Sequence, residues 1–160
     1  MKKETLLTTQ TAIAGVSAYI SNKLGILYPV LLLLTGMMIL DYVTGLAAST
    51  KESLEDPKNP NKGWSSQKGK IGIFKKLGYI VAVAVAMAAD FLIFYAAEQI
   101  GISVPAGTFF GLLTAVWLIL NELLSLIENA GRMGAPIPEF LRNVISTLKE
   151  TVEQQGKSQE

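Results

Sequence analysis

Three carboxylates inside long apolar runs are the residues of this sequence that could do chemistry. Asp41, Asp90 and Glu122 each interrupt a stretch of apolar and small residues. Paired carboxylates can act as general acid and base, or can bind a divalent cation. The sequence has no Cys and no His, which excludes thiol chemistry, histidine bases and the commoner zinc sites. Because nothing beside the acids supplies a nucleophile or an oxyanion site, we predict no catalytic, metal-binding or cofactor-binding residues and no enzyme activity.

A second group with possible chemistry is the basic segment before the middle apolar run. Gly69 and Gly72 lie among lysines, as in a phosphate-binding loop, but their spacing does not fit the P-loop pattern. Lysines beside a membrane instead indicate topology and contacts with lipid headgroups. The lysines assigned to this predicted basic loop are Lys68, Lys70, Lys75 and Lys76.

The distribution of apolar residues, rather than their total, predicts the protein class. The chain has 160 residues and a net charge of +1, so it shows no bias toward nucleic acid. Three runs, about 28–48, 77–97 and 104–127, are apolar around the whole helix circumference. About 20 helical residues cross a bilayer core of about 30 Å. The sequence therefore predicts an all-α integral membrane protein with three transmembrane helices.

The segments around the three spans differ in character. Residues 1–27 carry a loose apolar stripe, which predicts an amphipathic helix at the membrane interface or, alternatively, a fourth inserted helix. Residues 49–76 are polar and rich in Lys, Gly, Asn and Pro, which predicts a long basic loop. Residues 128–160 predict a Gly/Pro turn, then an amphipathic helix with apolar residues at helical spacing, then a disordered tail from about residue 153.

The lysines of the basic loop predict the orientation of the chain. They place the loop and the C-terminus in the cytoplasm and the tip between the second and third spans outside. The N-terminus lies outside if three helices span and inside if four do. In this topology Asp41 and Glu122 lie at similar depth toward the inner leaflet. Asp90 lies toward the outer leaflet and does not reach them.

Each intramembrane acid shares a helix face with small or polar residues. Such faces let helices approach closely in lipid, so we expect them to mediate packing and assembly. One interpretation is that the acids are interhelical hydrogen-bonding groups. The other is that these faces become wet and line an opening between subunits, which needs many copies because three spans enclose no wide pore. The predicted assembly residues are Asp41, Thr44, Gly45, Gly78, Ala82, Ala86, Asp90, Gly107, Gly111, Glu122, Ser125 and Asn129.

Several segments, read in order, resemble the phage holins of the toxin-secretion and phage-lysis type, which include the holin-like protein of clostridial toxin export. The matching segments cover most of residues 40–145. They are "LDYVTGLAA" at 40–48, "SSQKGKIGIFKKLGYI" at 65–80, "AADFLI" at 88–93 and "NELLSLIENAGRMGAPIPEFLRNVI" at 121–145. The last is the most specific, because it joins a helix end with Glu128 and Asn129 to a Gly-rich turn and a Pro-x-Pro start.

The resemblance implies a function. Holins accumulate in the bacterial cytoplasmic membrane as homo-oligomers of many copies and open lesions, through which a cytosolic endolysin escapes to cause lysis. Two other interpretations stay open. One is a holin-like pore that exports a toxin or enzyme without lysis. The other is a small membrane scaffold or regulator that forms no pore.

Overall fold

The structure is a computed structural model that describes residues 2–57, 59, 63, 65–103 and 108–157. In this part of the chain the regular elements are all helices, which confirms the predicted all-α class. The five helices are α1 (Lys2–Leu24), α2 (Leu27–Glu55), α3 (Ser66–Gln99), α4 (Phe109–Arg132) and α5 (Glu139–Lys157).

Three of these helices, α2, α3 and α4, are long and apolar enough to cross a membrane. They contain 29, 34 and 24 residues, and each exceeds the roughly 20 residues that a bilayer core requires. The three predicted transmembrane helices are therefore confirmed. Although α1 has 23 residues, it is not among the helices that are apolar enough to span.

Helix α4 is the centre of the bundle, because it packs against α2, α3 and α5. It can contact several neighbours because apolar, small and polar positions are spread over more than one of its faces. Most large apolar side chains of α2 and α3 are instead exposed on the outside of the single chain. The buried apolar cluster between α2, α3 and α4 consists of Leu27, Leu34, Val83, Ala115, Leu118 and Ile119.

The polar connection between α2 and α3 is shorter than predicted. Helix α2 continues to Glu55, and α3 already begins at Ser66, so much of the predicted loop 49–76 is helical. The hydroxyl of Ser65 accepts a hydrogen bond from the backbone N–H of Lys68 at 3.2 Å and so caps α3. The change from apolar to polar residues indicates where the apolar run ends. It does not indicate where the helix ends, because Lys, Glu and Gln are good helix formers.

Glycines with positive φ lie in the connections that join α1 and α5 to the rest of the bundle. Gly25, with φ of 52°, separates α1 from α2, and α1 packs mainly against α2. Gly134, with φ of 91°, lies in the predicted Gly/Pro turn between α4 and α5. Helix α5 runs to Lys157, so residues 153–157 are helical rather than part of a disordered tail. Whether α1 lies on the membrane or enters it stays a prediction.

Candidate polar seam within the membrane bundle

An ion-paired cluster lies between α2, α3 and α4. The ammonium of Lys76 lies 2.9 Å from Asp41 Oδ2 and 2.5 Å from Glu122 Oε2. The Glu122 side chain is fully buried, and the Asp41 and Lys76 side chains are each 14% exposed. Asp41 and Glu122 therefore lie at one level, as the topology predicted, and a cation joins them. Burying these charges is tolerable only because they are paired.

Lys76 lies in a different element from the one that the sequence predicted. We predicted it in the basic loop, but it lies three turns into α3 and its side chain turns into the bundle. The position of Lys76 in the sequence could have indicated that its side chain enters the bundle. Lys76 is the last lysine before the apolar run 77–97, so it can reach an acid at the same depth on a neighbouring helix.

Asn129 connects α4 to α2 at a point closer to the C-terminal end of α4 than Glu122. Its amide nitrogen donates to Asp41 Oδ1 at 3.1 Å and to Thr44 Oγ1 at 3.3 Å. Gly45 faces this amide, since a Cβ at Gly45 would lie 3.5 Å from Asn129 Nδ2. The structure thus brings together the two faces predicted separately on α2 and α4. Ser125 lines the same cavity.

Arg132 closes this row of polar contacts at the end of α4. Its guanidinium donates two hydrogen bonds of 2.8 Å to the carboxylate of Glu52 on α2. It also donates to Asn129 Oδ1 at 3.1 Å. The pairing of Arg132 with Glu52 has no local signal in the sequence, because the two residues are 80 positions apart. We use the name polar seam for Asp41, Lys76, Glu122, Asn129 and Arg132.

Asp90 lies away from the polar seam and has a different partner. Its carboxylate accepts hydrogen bonds from the backbone N–H groups of Phe110, at 2.9 Å, and Gly111, at 2.7 Å. These groups belong to the first turn of α4, where backbone donors have no partner within the helix. The helix dipole also favours a negative group there. The carboxylate in the apolar stretch of α3 is therefore a cap for the neighbouring helix.

The contact between α3 and the start of α4 is close because residue 111 is glycine. A Cβ at Gly111 would lie 3.1 Å from Met87 Cγ, 3.3 Å from Asp90 Oδ2 and 3.4 Å from Leu27 Cδ2. A side chain at this position would therefore push against three groups at once. Gly111 brings the two donor N–H groups within reach of Asp90 and contacts both neighbouring helices.

Other predicted assembly residues are not used within one chain. Gly78 and Ala82 on α3 are exposed, and a Cβ at Gly78 would meet open space. Ala86 on the same face is partly buried. Gly107 lies outside the described residues. Gly78 and Ala82 are thus uncovered in the single chain, and the role of this α3 face in assembly stays a prediction.

The other lysines of the predicted basic loop also lie in α3. Lys68 and Lys70 are in its first turns, and Lys68 Nζ donates to the carbonyl of Gly63 at 3.1 Å. Lys75 Nζ lies 5.5 Å from the centre of the Tyr79 ring, within the range of a cation–π contact. In the part of the chain that the structure describes, no three potential metal ligands cluster.

Helix α5 folds back along α4. Ile145 is buried against Leu120 and Ile127 of α4. Further along, Trp117 Nε1 donates to Glu153 Oε1 at 2.9 Å, and Lys149 Nζ lies 5.1 Å from the Trp117 ring centre. An amphipathic helix therefore accompanies a candidate membrane span over much of its length.

Comparison with known proteins identifies the family. Residues 18–150, most of the chain, match the bacteriophage holin family. The chain belongs to the bacteriophage holin family. Because holins are non-enzymatic membrane proteins, and because α2, α3 and α4 can each span, this chain is a holin-type multi-pass membrane protein.

The relatives carry no functional description. An uncharacterized protein of Halalkalibacterium halodurans is 35% identical over 147 residues, covering 91% of this chain and 96% of that protein. An uncharacterized protein of Clostridium perfringens is 33% identical, covering 75% of this chain and 74% of the relative. One of Listeria innocua is 30% identical, with 82% and 77% covered. No solved structure matches this holin.

Proposed function

We propose that many copies of this holin assemble in the bacterial cytoplasmic membrane and open lesions that release a phage endolysin to the cell wall. The observation that carries this proposal is the position of α5. Trp117, which α5 contacts, is the ninth residue of α4, about 12 Å from its first residue by helix rise. This depth is inside a hydrocarbon core of about 30 Å.

The charges of α5 make a lipid-facing position costly. Its sequence includes Lys149, Glu150 and Glu153, which lie near the level of Trp117. A charged residue at the bilayer centre costs about 2.5–3.5 kcal/mol on insertion scales. An α5 that stays on α4 in the membrane therefore needs water on its outer side.

Water at this depth requires an opening in the membrane, and a single chain cannot enclose such an opening. The three spans pack on one another through α4, and three helices are too few to enclose a wide pore. A ring of copies can enclose water with the polar side of each α5 as its wall. The exposed apolar residues of α2 and α3, such as Leu33, Ile80 and Phe91, are then available for lipid and for contacts between copies.

The release function is tested by expressing the full chain in a bacterium with an active cytosolic endolysin, with an inactive endolysin, and alone. We expect culture turbidity to fall rapidly only with the active endolysin, while the chain alone stops growth and releases a cytosolic reporter enzyme. Reporter release in cells that keep growing would instead identify non-lytic export. The absence of reporter release at full membrane expression would identify a scaffold or regulator and overturn the proposal.

A further inference from the structure

Two cavities of opposite character adjoin each other between α2 and α3. One, of about 380 Å³, reaches α4 and is lined by polar and basic side chains. The other, of about 360 Å³, is almost wholly apolar. Tyr42 and Lys76 line both cavities. Each volume falls within the range of about 300–1,000 Å³ that is typical of small-molecule sites.

The polar cavity has an excess of positive charge. Its cationic lining residues are Lys68, Lys75, Lys76 and Arg132, and its acidic lining residue is Asp41. Lys76 and Arg132 are already held by carboxylates of the bundle. Lys75 and Lys68 are on the exposed side of α3, one on each side of Gly72 in sequence. These features fit an anionic group that enters from the polar end of the bundle.

The apolar cavity continues along the membrane-embedded part of the same two helices. It is lined by Met38, Ile39 and Val43 of α2 and by Ile73, Leu77 and Ile80 of α3. It exists because α2 and α3 pack on α4 and, among the described residues, make few contacts with each other. A free phosphate or sugar phosphate has no apolar part that could occupy such a groove, whereas an acyl chain can fill it.

We propose that this site binds one anionic glycerophospholipid, with its headgroup in the basic cavity and an acyl chain in the apolar groove. Basic pockets between transmembrane helices on the cytoplasmic side are suited to acidic headgroups. The bound lipid would contact both α2 and α3 and so add to the few direct contacts between these helices, such as the Lys76–Asp41 ion pair. This inference does not depend on lesion formation, since a holin that forms no pore would bind the same lipid.

The test measures lipid binding to the detergent-solubilised full chain by native mass spectrometry. The probes are phosphatidylglycerol, phosphatidylcholine of the same chain length, and glycerol 3-phosphate as a headgroup without chains. We expect the chain to retain one phosphatidylglycerol more tightly than phosphatidylcholine, and glycerol 3-phosphate to bind much more weakly. Equal retention of the two lipids, or glycerol 3-phosphate binding as tightly as phosphatidylglycerol, would overturn the proposal.

Two pairs of variants locate the site. Lys75→Gln should weaken phosphatidylglycerol binding about fivefold and leave phosphatidylcholine unchanged. Lys70→Gln is the matched control, because Lys70 is exposed on the same helix and does not line the cavity. Val43→Trp should fill the groove and reduce binding of both lipids, whereas Leu92→Trp, at an exposed position outside it, should not. If Lys70→Gln weakens binding as much as Lys75→Gln, diffuse surface charge explains the binding and the site is wrong.

Discussion

The ammonium of Lys76 lies 2.5 Å from the carboxylate of Glu122, whose side chain is fully buried. The same ammonium reaches Asp41 on α2, so one cation of α3 joins the two other spans. Neither α2 nor α4 carries a cation of its own at this level. The charge of Glu122 is therefore compatible with close packing only while Lys76 stays in place.

Removing this cation should destabilise the bundle strongly. Lys76→Met leaves two buried carboxylates without a counter-charge, and breaking a buried ion pair typically costs about 3–5 kcal/mol. We expect a large drop in the midpoint of thermal unfolding in detergent micelles. Lys70→Met, at an exposed position of α3, is the control and should change the midpoint little.

The triple variant Lys76→Met, Asp41→Asn, Glu122→Gln tests whether charge is the cause. It removes the cation and both negative charges together, and replacing a buried ion pair by neutral groups is often close to neutral. We expect it to regain most of the stability that Lys76→Met loses. A triple variant as unstable as the single one would show that the packing of the lysine side chain, not charge balance, holds the helices together.

Asp90 should stabilise the start of α4. Asp90→Ala removes the acceptor for the N–H groups of Phe110, which is partly buried, and Gly111, which is buried, and leaves both groups unsatisfied. The loss of such a cap typically costs about 1–2 kcal/mol. Hydrogen exchange in micelles should show faster exchange at residues 110 and 111 first. Glu98→Ala, an exposed acid on the same helix, should leave their exchange unchanged.

The sequence predicted the spans and the relative depth of the three acids because both follow from the apolar pattern and the helix rise. Asp41 and Glu122 meet, and Asp90 lies elsewhere, as the topology requires. The pattern also identified Asn129 and Thr44 as members of interhelical faces, and the structure places them in contact.

The partners of the acids could not be predicted. Lys76 appeared to belong to a loop, because composition marks where the membrane ends and not where a helix ends. The Asp90 cap depends on how α3 and α4 are aligned across a connection whose composition gives no register. The pairing of Arg132 with Glu52 depends on α2 continuing beyond its apolar run to Glu55.

Substitutions at two glycines, Gly111 and Gly78, should distinguish effects on folding from effects on assembly. Gly111→Ala places a methyl group 3.1 Å from Met87 Cγ and 3.3 Å from Asp90 Oδ2, and overpacking of this kind typically costs about 1–3 kcal/mol. Gly78→Ala meets open space in the single chain and should not lower its stability. Thermal unfolding of the solubilised chain measures both effects.

A larger substitution at Gly78 also tests the predicted assembly face of α3. If Gly78 packs against another copy, Gly78→Leu should reduce chemical cross-linking between copies in membranes while the single chain stays folded. Leu92→Ala, at an exposed large residue of the same helix, is the control. Unchanged cross-linking with Gly78→Leu would remove this face from the assembly contacts.

The position of α5 can be followed by thiol labelling, because the chain contains no cysteine. Glu150→Cys places one thiol on the exposed side of α5, and Ile145→Cys places one on the side buried against α4. If α5 lines a water-filled lesion, a membrane-impermeant charged thiol reagent added outside intact cells should label residue 150 only after the onset of lesion formation. It should label residue 145 much more slowly, because the α4 contact shields it. Labelling of residue 150 only from the cytoplasmic side, before and after lesions form, would show that α5 stays outside the wall of the opening.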